Sequence, residues 1–260
     1  MALIAVAADK GSPGVTTAAL TMAAVWPRRA VLAELDPSGG DIALRLRGPR
    51  GVPLSPETGL ISLAVGVRRG AQPAQVFEHV QRLDGGLEVI VGLTTGEQGS
   101  GLAGSWGPIG DLLDRVPGVD VVADLGRLYP SSPAADALPH ASAVVLVTRP
   151  TIDAVAHLRA RAATVLRDLE RRPGGAPIVG CVVVTTPRDD ASPKQIDTVM
   201  RQAGLPVTVL GRIAYDPKGA GMLAGDWVGR LDRSLLVRST REVVGRLAQR
   251  LNATAGSVGR

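Results

Sequence analysis

The residues best equipped for chemistry lie in one short run near the amino terminus, Asp9-Lys10-Gly11-Ser12-Pro13-Gly14-Val15-Thr16-Thr17. The run follows an apolar segment and leads straight into an alanine-rich one. Glycines at 11 and 14 allow successive backbone N–H groups to point into one hollow, and a helix starting there adds partial positive charge at its first turn. An anion fits such a seat, with the Thr16 hydroxyl placed to meet a magnesium ion. The common phosphate-loop pattern, GxxxxGK followed by Ser or Thr, is broken twice, because its first glycine falls on Asp9 and its lysine on Val15. Two more oxygen donors, Asp36 and Asp124, end apolar runs, so Thr16, Asp36 and Asp124 are expected at the carboxyl ends of three strands. A hard cation takes oxygen ligands and keeps several waters, so these three form a candidate magnesium site. Taken singly, Asp36 before Pro37 also suits a turn and Asp124 a helix cap. Their joint placement favours the magnesium-phosphate reading.

Positioning these groups requires a parallel sheet. Short runs rich in Val, Ile and Leu alternate with longer helical patterns, which indicates a sheet covered on both faces. Strands are predicted at Leu3–Ala8, Ala30–Leu35, Leu87–Val91, Val119–Ala123, Ala143–Val147, Ile178–Val184 and Val207–Gly211. Helices are predicted at Thr16–Val25, Leu60–Arg68, Ala74–Leu83, Ile109–Val116, Ile152–Arg171, Pro193–Ala203 and Leu235–Leu251. The fold class is therefore α/β, a single doubly wound, mostly parallel, seven-stranded sheet over residues 1–251, with a small polar tail at 252–260 expected to fray. The Gly- and Pro-rich segment 47–58 and the Gly-, Ser- and Thr-rich segment 92–108 read as loops.

Composition removes several classes. With 260 residues and 45% apolar content, a disordered or fibrous chain is excluded. The longest uncharged apolar run, 174–187, is too short to span a bilayer, and the amino terminus lacks a basic leader, so a cytoplasmic protein is expected. Cys181 sits in an apolar strand and reads as a packed thiol. His79, His140 and His157 lie apart, without metal-ligand spacing. Ser105 lacks the first glycine of a GxSxG nucleophile elbow, and no GxGxxG follows the first strand. The net charge of +5, carried mostly by arginine, is spread along the chain, which permits non-specific contact with DNA or a membrane surface without concentrating it. In the last predicted helix, Leu236, Val243, Val244, Leu247 and Leu251 share a face. That face either covers the sheet, as the fold requires, or lies on a membrane.

The run Lys10 to Thr17 resembles the deviant Walker A loop, KGGxGKTT, of the ParA/MinD (SIMIBI-class) P-loop ATPases, with Lys10 matching that family's extra lysine and Val15 standing where its general P-loop lysine would be. Glu34-Leu35-Asp36-Pro37-Ser38-Gly39 is similar to the family's second strand and switch I, DxDPxG, with Glu34 in place of the first aspartate. Val119 to Gly126 resembles a Walker B strand ending in Asp124, and Val145 to Thr151 the strand and turn before the family's long helix. The resemblance implies ATP or ADP with Mg²⁺, held by Lys10, Gly11, Ser12, Pro13, Gly14, Val15, Thr16 and Thr17. It also implies Thr16, Asp36 and Asp124 at the metal, Asp36 orienting the attacking water, and Lys10 reaching across a homodimer. Thr186 and Asp216 are candidates for the base side. The implied function is that of a slow or inactive ATPase switch that positions or recruits a protein partner or assembly, as in DNA segregation, division, pilus or secretion machinery. Its atypical loop resembles the TadZ/CpaE branch most. A nucleotide-independent pseudo-ATPase scaffold is the alternative, and a small-molecule ligase on the same fold a more distant one.

Overall fold

The structure, a computed structural model, describes residues 1–11, 13–170, 177–226 and 229–258. Ser12, Arg171 at the end of the fifth expected helix, and the last two residues of the tail lie outside the described residues. In chain order the elements are β1 (Leu3–Ala8), α1 (Val15–Ala24), β2 (Ala30–Glu34), α2 (Ile42–Arg45), α3 (Leu60–Arg68), β3 (Gln81–Arg82), β4 (Glu88–Ile90), α4 (Gly96–Ser100) and α5 (Trp106–Asp114). They continue with β5 (Asp120–Arg127), β6 (Ala143–Thr148), α6 (Ile152–Leu169), β7 (Ile178–Thr185), α7 (Ala191–Gln202), β8 (Thr208–Ala214), α8 (Pro217–Leu223) and α9 (Leu235–Val258).

Among the described residues the strands form one sheet of eight, in the order β3-β4-β2-β5-β1-β6-β7-β8. Neighbours are parallel except β3 and β4. The first strand is therefore central, and the chain leaves it toward β2 on one side and reaches β6 on the other. Strand periodicity sorts β1 cleanly: Leu3, Ala5 and Ala7 enter the core under α3, α5, α6 and α7, while Ile4, Val6 and Ala8 enter the core under α1 and α9. Leu236, Val243, Val244, Leu247 and Leu251 of α9 are buried in that second core, so the helix face covers the sheet. No helix among the described residues is long and apolar enough to cross a membrane.

Five expectations need correction. The sheet has an eighth strand, β3, and the helix expected at Ala74–Leu83 is a 3-10 turn over Pro73–His79 followed by that strand. The segment has little apolar face to bury, Val76 being its one buried residue in the turn. Gln81 then holds the chain extended, since its amide donates to the Ser55 and Thr58 carbonyls at 2.7 and 2.6 Å and accepts from the Ser55 N–H at 2.8 Å. These long-range bonds outcompete the continuation of a helical turn. The strand expected to stop at Ala123 runs on to Arg127, which places Asp124 within β5. Segment 92–108 also holds α4 and the start of α5, and α9 continues seven residues past its expected end at Leu251.

One buried carboxylate joins the edges that hold β1 in place. Asp120, 1% exposed at the start of β5, accepts from the Ala2 N–H at 2.9 Å, the Trp26 indole N–H at 2.7 Å and Arg28 Nε at 2.7 Å. Asp120→Ala leaves the Ala2 and Trp26 donors buried without acceptors, and should cost about 3 kcal/mol of stability. Denaturant unfolding checks this. A loss under about 1 kcal/mol would show that the node is dispensable.

Candidate functional site

The loops after β1, β2 and β5 meet at the carboxyl edge of the sheet because these three strands are adjacent and parallel, with Val6 and Glu34 both in register with Asp124. The turn after β1 carries Gly11 at φ 87° and Gly14 at φ 92°. Gly14 is the N-cap of α1 and offers no side chain to its first turn, which also contains no acidic residue. A β-carbon is disfavoured at this left-handed backbone, so glycine is the residue that permits the abrupt entry. The N–H groups of Val15, Thr16 and Thr17 thus open the helix without a side-chain cap, and the helix dipole adds to their attraction for an anion.

A cavity of about 630 Å³ opens on this helix end, with Pro13, Gly14, Thr16 and Thr17 on its wall. Val15 does not contribute to that wall. Its side chain is 8% exposed and belongs to the core beneath α1. Val15 therefore neither fills nor charges this cavity. α1 itself is nearly all small or apolar and mostly buried. Opposite walls come from the loop after β2 (Gly39, Gly40 and Asp41), from α2, and from the turn between β8 and α8.

Two carboxylates adjoin this site, Asp36 just past the end of β2 and Asp124 within β5. Asp124 is fully buried; its Oδ1 accepts the Gly126 N–H at 2.9 Å, while Oδ2 has no hydrogen-bond partner. Burial lifts its pKa to about 6, against the opposing pull of the nearby Thr16 hydroxyl and of the Gly126 N–H. Asp36 Oδ1 accepts the Ser38 N–H at 2.8 Å, and burial raises its pKa as well. A β-carbon on Gly126, which stands at φ 59°, would overlap the Asp36 carboxylate. Thr16 thus lines the cavity and lies near Asp124, and Asp36 packs against Gly126 beside them.

The donor set fits Mg²⁺. Among the described residues no three His, Cys, Asp or Glu side chains gather into a protein cage for a metal. A buried carboxylate oxygen without a partner, next to a threonine hydroxyl and an anion seat, suits a cation that retains water and binds through phosphate.

Other predicted residues lie farther out. Lys10 is exposed and is not on the cavity wall; the preceding Asp9 is anchored to Arg161 at 2.6 Å, with His157 Nδ1 at 3.4 Å. Thr186 is exposed after β7 and also lies off the wall. Asp216 is on the wall, but its Oδ1 accepts the Gly219 N–H of α8 at 2.9 Å and its Oδ2 the Leu236 N–H of α9 at 3.2 Å. Its carboxylate caps two helices and leaves little capacity for a base. Beside it Tyr215, 58% exposed, lines the cavity with an aromatic face.

Sequence reading gave Glu34 no role. The structure shows it 1% exposed, its Oε2 accepting the Gly92 N–H at 2.8 Å and its Oε1 the Ile42 N–H at 3.3 Å. A β-carbon on Gly40 would strike this carboxylate, so Glu34 fixes the loop that carries Asp36 and Gly39. An acidic residue inside an otherwise apolar strand was the available signal.

Burial pushes the pKa of Glu34 up to about 7. The unfolded chain releases this proton near 4.5, so between the two values the folded chain holds more protons. Stability should then fall as pH rises from about 4.5 to about 7, by roughly 3 kcal/mol from this group, and Glu34→Gln should flatten that slope. Unfolding measured across that range checks it; an unchanged slope in Glu34→Gln would count against the assignment. Gly126→Ala should displace Asp36 and cost about 1–3 kcal/mol of stability, read by denaturant unfolding.

No protein-family model matches the chain, and no curated protein matches it in sequence. Solved structures match over nearly its whole length. A ParA family ATPase from Chlorobium tepidum TLS is 14% identical with a TM-score of 0.69, covering 95% of this chain and 98% of its own. MinD from Pyrococcus horikoshii OT3, complexed with Mg-ADP, is 14% identical with a TM-score of 0.65, covering 95% of each chain. A McdA variant from Cyanothece in complex with ATP is 14% identical with a TM-score of 0.67, covering 95% of this chain and 96% of its own. At such identities it is the architecture that is shared: the chain has the mostly parallel α/β fold of the ParA/MinD-type P-loop ATPases.

Proposed function

We propose that this protein is a ParA/MinD-like nucleotide switch with a degenerate P-loop, which binds ATP or ADP with Mg²⁺, hydrolyses ATP slowly or not at all, and works as a homodimer that positions or recruits a partner assembly. The observation that carries the reading is the open cavity at the uncapped start of α1, with Thr16 on its wall and Val15 turned into the core. The solved structures with Mg-ADP and with ATP support a nucleotide as the occupant.

In this reading the first-turn N–H groups of α1 bind the phosphate chain. The Thr16 hydroxyl and Asp124, the latter through water, would hold Mg²⁺, whose charge neutralises phosphate oxygens when bound. Asp36 stands at the end of β2 to orient a water. Lys10, exposed and off the cavity wall, is assigned to the partner protomer's nucleotide, as the family resemblance implies. Valine at 15 removes a charge-assisted hydrogen bond typically worth ~1.5–3 kcal/mol, so ground-state affinity falls by roughly ten- to a hundredfold. Losing one preorganised donor in the transition state typically costs ~10² to 10³ in rate, which is why binding survives better than turnover.

The TadZ/CpaE-like loop, the homodimer and the recruited assembly belong to the same proposal, and the spread of arginines allows accessory contact with DNA or a membrane surface.

Equilibrium titration with a fluorescent ATP analogue tests it. Saturable, magnesium-dependent binding that Asp124→Ala abolishes is the expected result, with turnover rising by about 10²-fold in Val15→Lys. Absence of binding at millimolar nucleotide would replace the switch with the nucleotide-independent scaffold. Wild-type turnover equal to that of an ordinary P-loop ATPase would contradict the degenerate loop.

A further inference from the structure

Where the common phosphate-loop pattern has its first glycine, this chain has Asp9, and the structure ties that residue down. Its carboxylate is 18% exposed. Oδ1 accepts from Arg161 of α6, at 2.7 Å from Nε and 2.6 Å from Nη2, and Oδ2 faces His157 Nδ1 at 3.4 Å. The backbone carbonyl of Asp9 accepts from Arg127 Nε, at the end of β5, at 2.9 Å. β1 lies between β5 and β6, and α6 follows β6, so Asp9 is tied to segments on both sides of its own strand.

Both ties have fixed bases. In the β1–β5 ladder Val6 pairs with Asp124 and Ala8 with Arg127, so β5 carries one extra residue there, and Gly126, against which Asp36 packs, stands in that bulge. On the other side Leu158 and Ala162, which flank Arg161 in the chain, are buried in the core, and the arginine itself is 12% exposed. Past Asp9 the chain enters open space: Lys10 is exposed, and a β-carbon on Gly11 would meet no atom within 4 Å. A charge-assisted pair at the root of such a turn decides the direction in which it leaves the strand.

We infer that Arg161 is a positioning residue: through Asp9 it sets how β1 runs into the turn bearing Gly11 and Gly14, and with it the alignment of that turn against the first turn of α1, where a phosphate chain would bind. This inference rests on the nucleotide reading above and adds to it a side chain, remote from the cavity, that orients the anion seat. An aspartate narrows the backbone freedom that glycine would leave at the strand end, and Arg161 selects one direction within what remains. Both of its donors meet the same oxygen, so a lysine ammonium can replace them in part.

The test titrates fluorescent ADP with Mg²⁺ into wild type, Arg161→Gln, Asp9→Asn, the double replacement and Arg161→Lys, and records the Gly11 and Gly14 amide shifts and the melting temperature of each nucleotide-free chain. Each of Arg161→Gln and Asp9→Asn should weaken ADP binding by roughly three- to tenfold and move both glycine amides, the double replacement should bind no more weakly than either, and Arg161→Lys should keep most of the affinity. A lower melting temperature with ADP affinity within twofold of wild type would make the pair a structural tie alone and overturn the inference. Losses that multiply in the double replacement would show Arg161 acting by a route other than Asp9, and a loss in Arg161→Gln without one in Asp9→Asn would reduce its effect to charge; either overturns it. No ADP binding by wild type at millimolar concentration would overturn the nucleotide reading, and the glycine amides would then decide this inference by themselves: moved alike in both single replacements and the double they uphold the positioning of the turn, unmoved they overturn it.

Discussion

A buried helix that begins on a glycine, without a side-chain cap, is the constraint on which the rest of the molecule turns. α1 is packed under β1 and α9 by small side chains, and its first turn, which receives no side-chain cap among the described residues, presents the positive end of its dipole to a cavity. Such an end is satisfied by water or by an anion, and the cavity is large enough for the latter. The parallel arrangement of β2, β5, β1 and β6 then decides which side chains surround it. Because β1 is central, residues from strand ends on both of its sides converge on one turn.

The carboxylates around that turn divide their labour. Asp124 retains an unpartnered oxygen in full burial, which is costly for a neutral structural role and apt for a cation's water shell. Asp36 is fitted against Gly126, where any larger residue would overlap it. Glu34 is spent on two backbone N–H groups and secures the loop between them. Glutamate at this position reaches one methylene farther than aspartate would and is tied in burial to Gly92 and Ile42. The same burial keeps all three from ionising as readily as free carboxylates.

Much of this was legible beforehand, and the physical reasons for the gaps are specific. Gly11, Gly14 and Thr16 announced the seat through backbone requirements that few residues meet, and the alternating cores of β1 follow directly from strand periodicity. The rotation of Val15 was not legible, because its direction depends on how tightly α1 packs on the sheet. Gln81 was read into a helix because the pattern 74–83 is ambiguous locally, and its three bonds to Ser55 and Thr58 span more than twenty residues of chain. Asp216 read as a base-side group, while the two helix ends that claim its oxygens meet only in three dimensions.

The central claim is that main-chain N–H groups at the start of α1 form a working anion seat although the lysine position is apolar. Backbone amide chemical shifts, followed by NMR as Mg-ADP is titrated into the isotopically labelled chain, address it most directly. The account predicts saturable shifts that are largest at Gly14, Val15, Thr16 and Thr17. Saturation accompanied by unmoved amides at those positions, with the changes concentrated elsewhere, would contradict it.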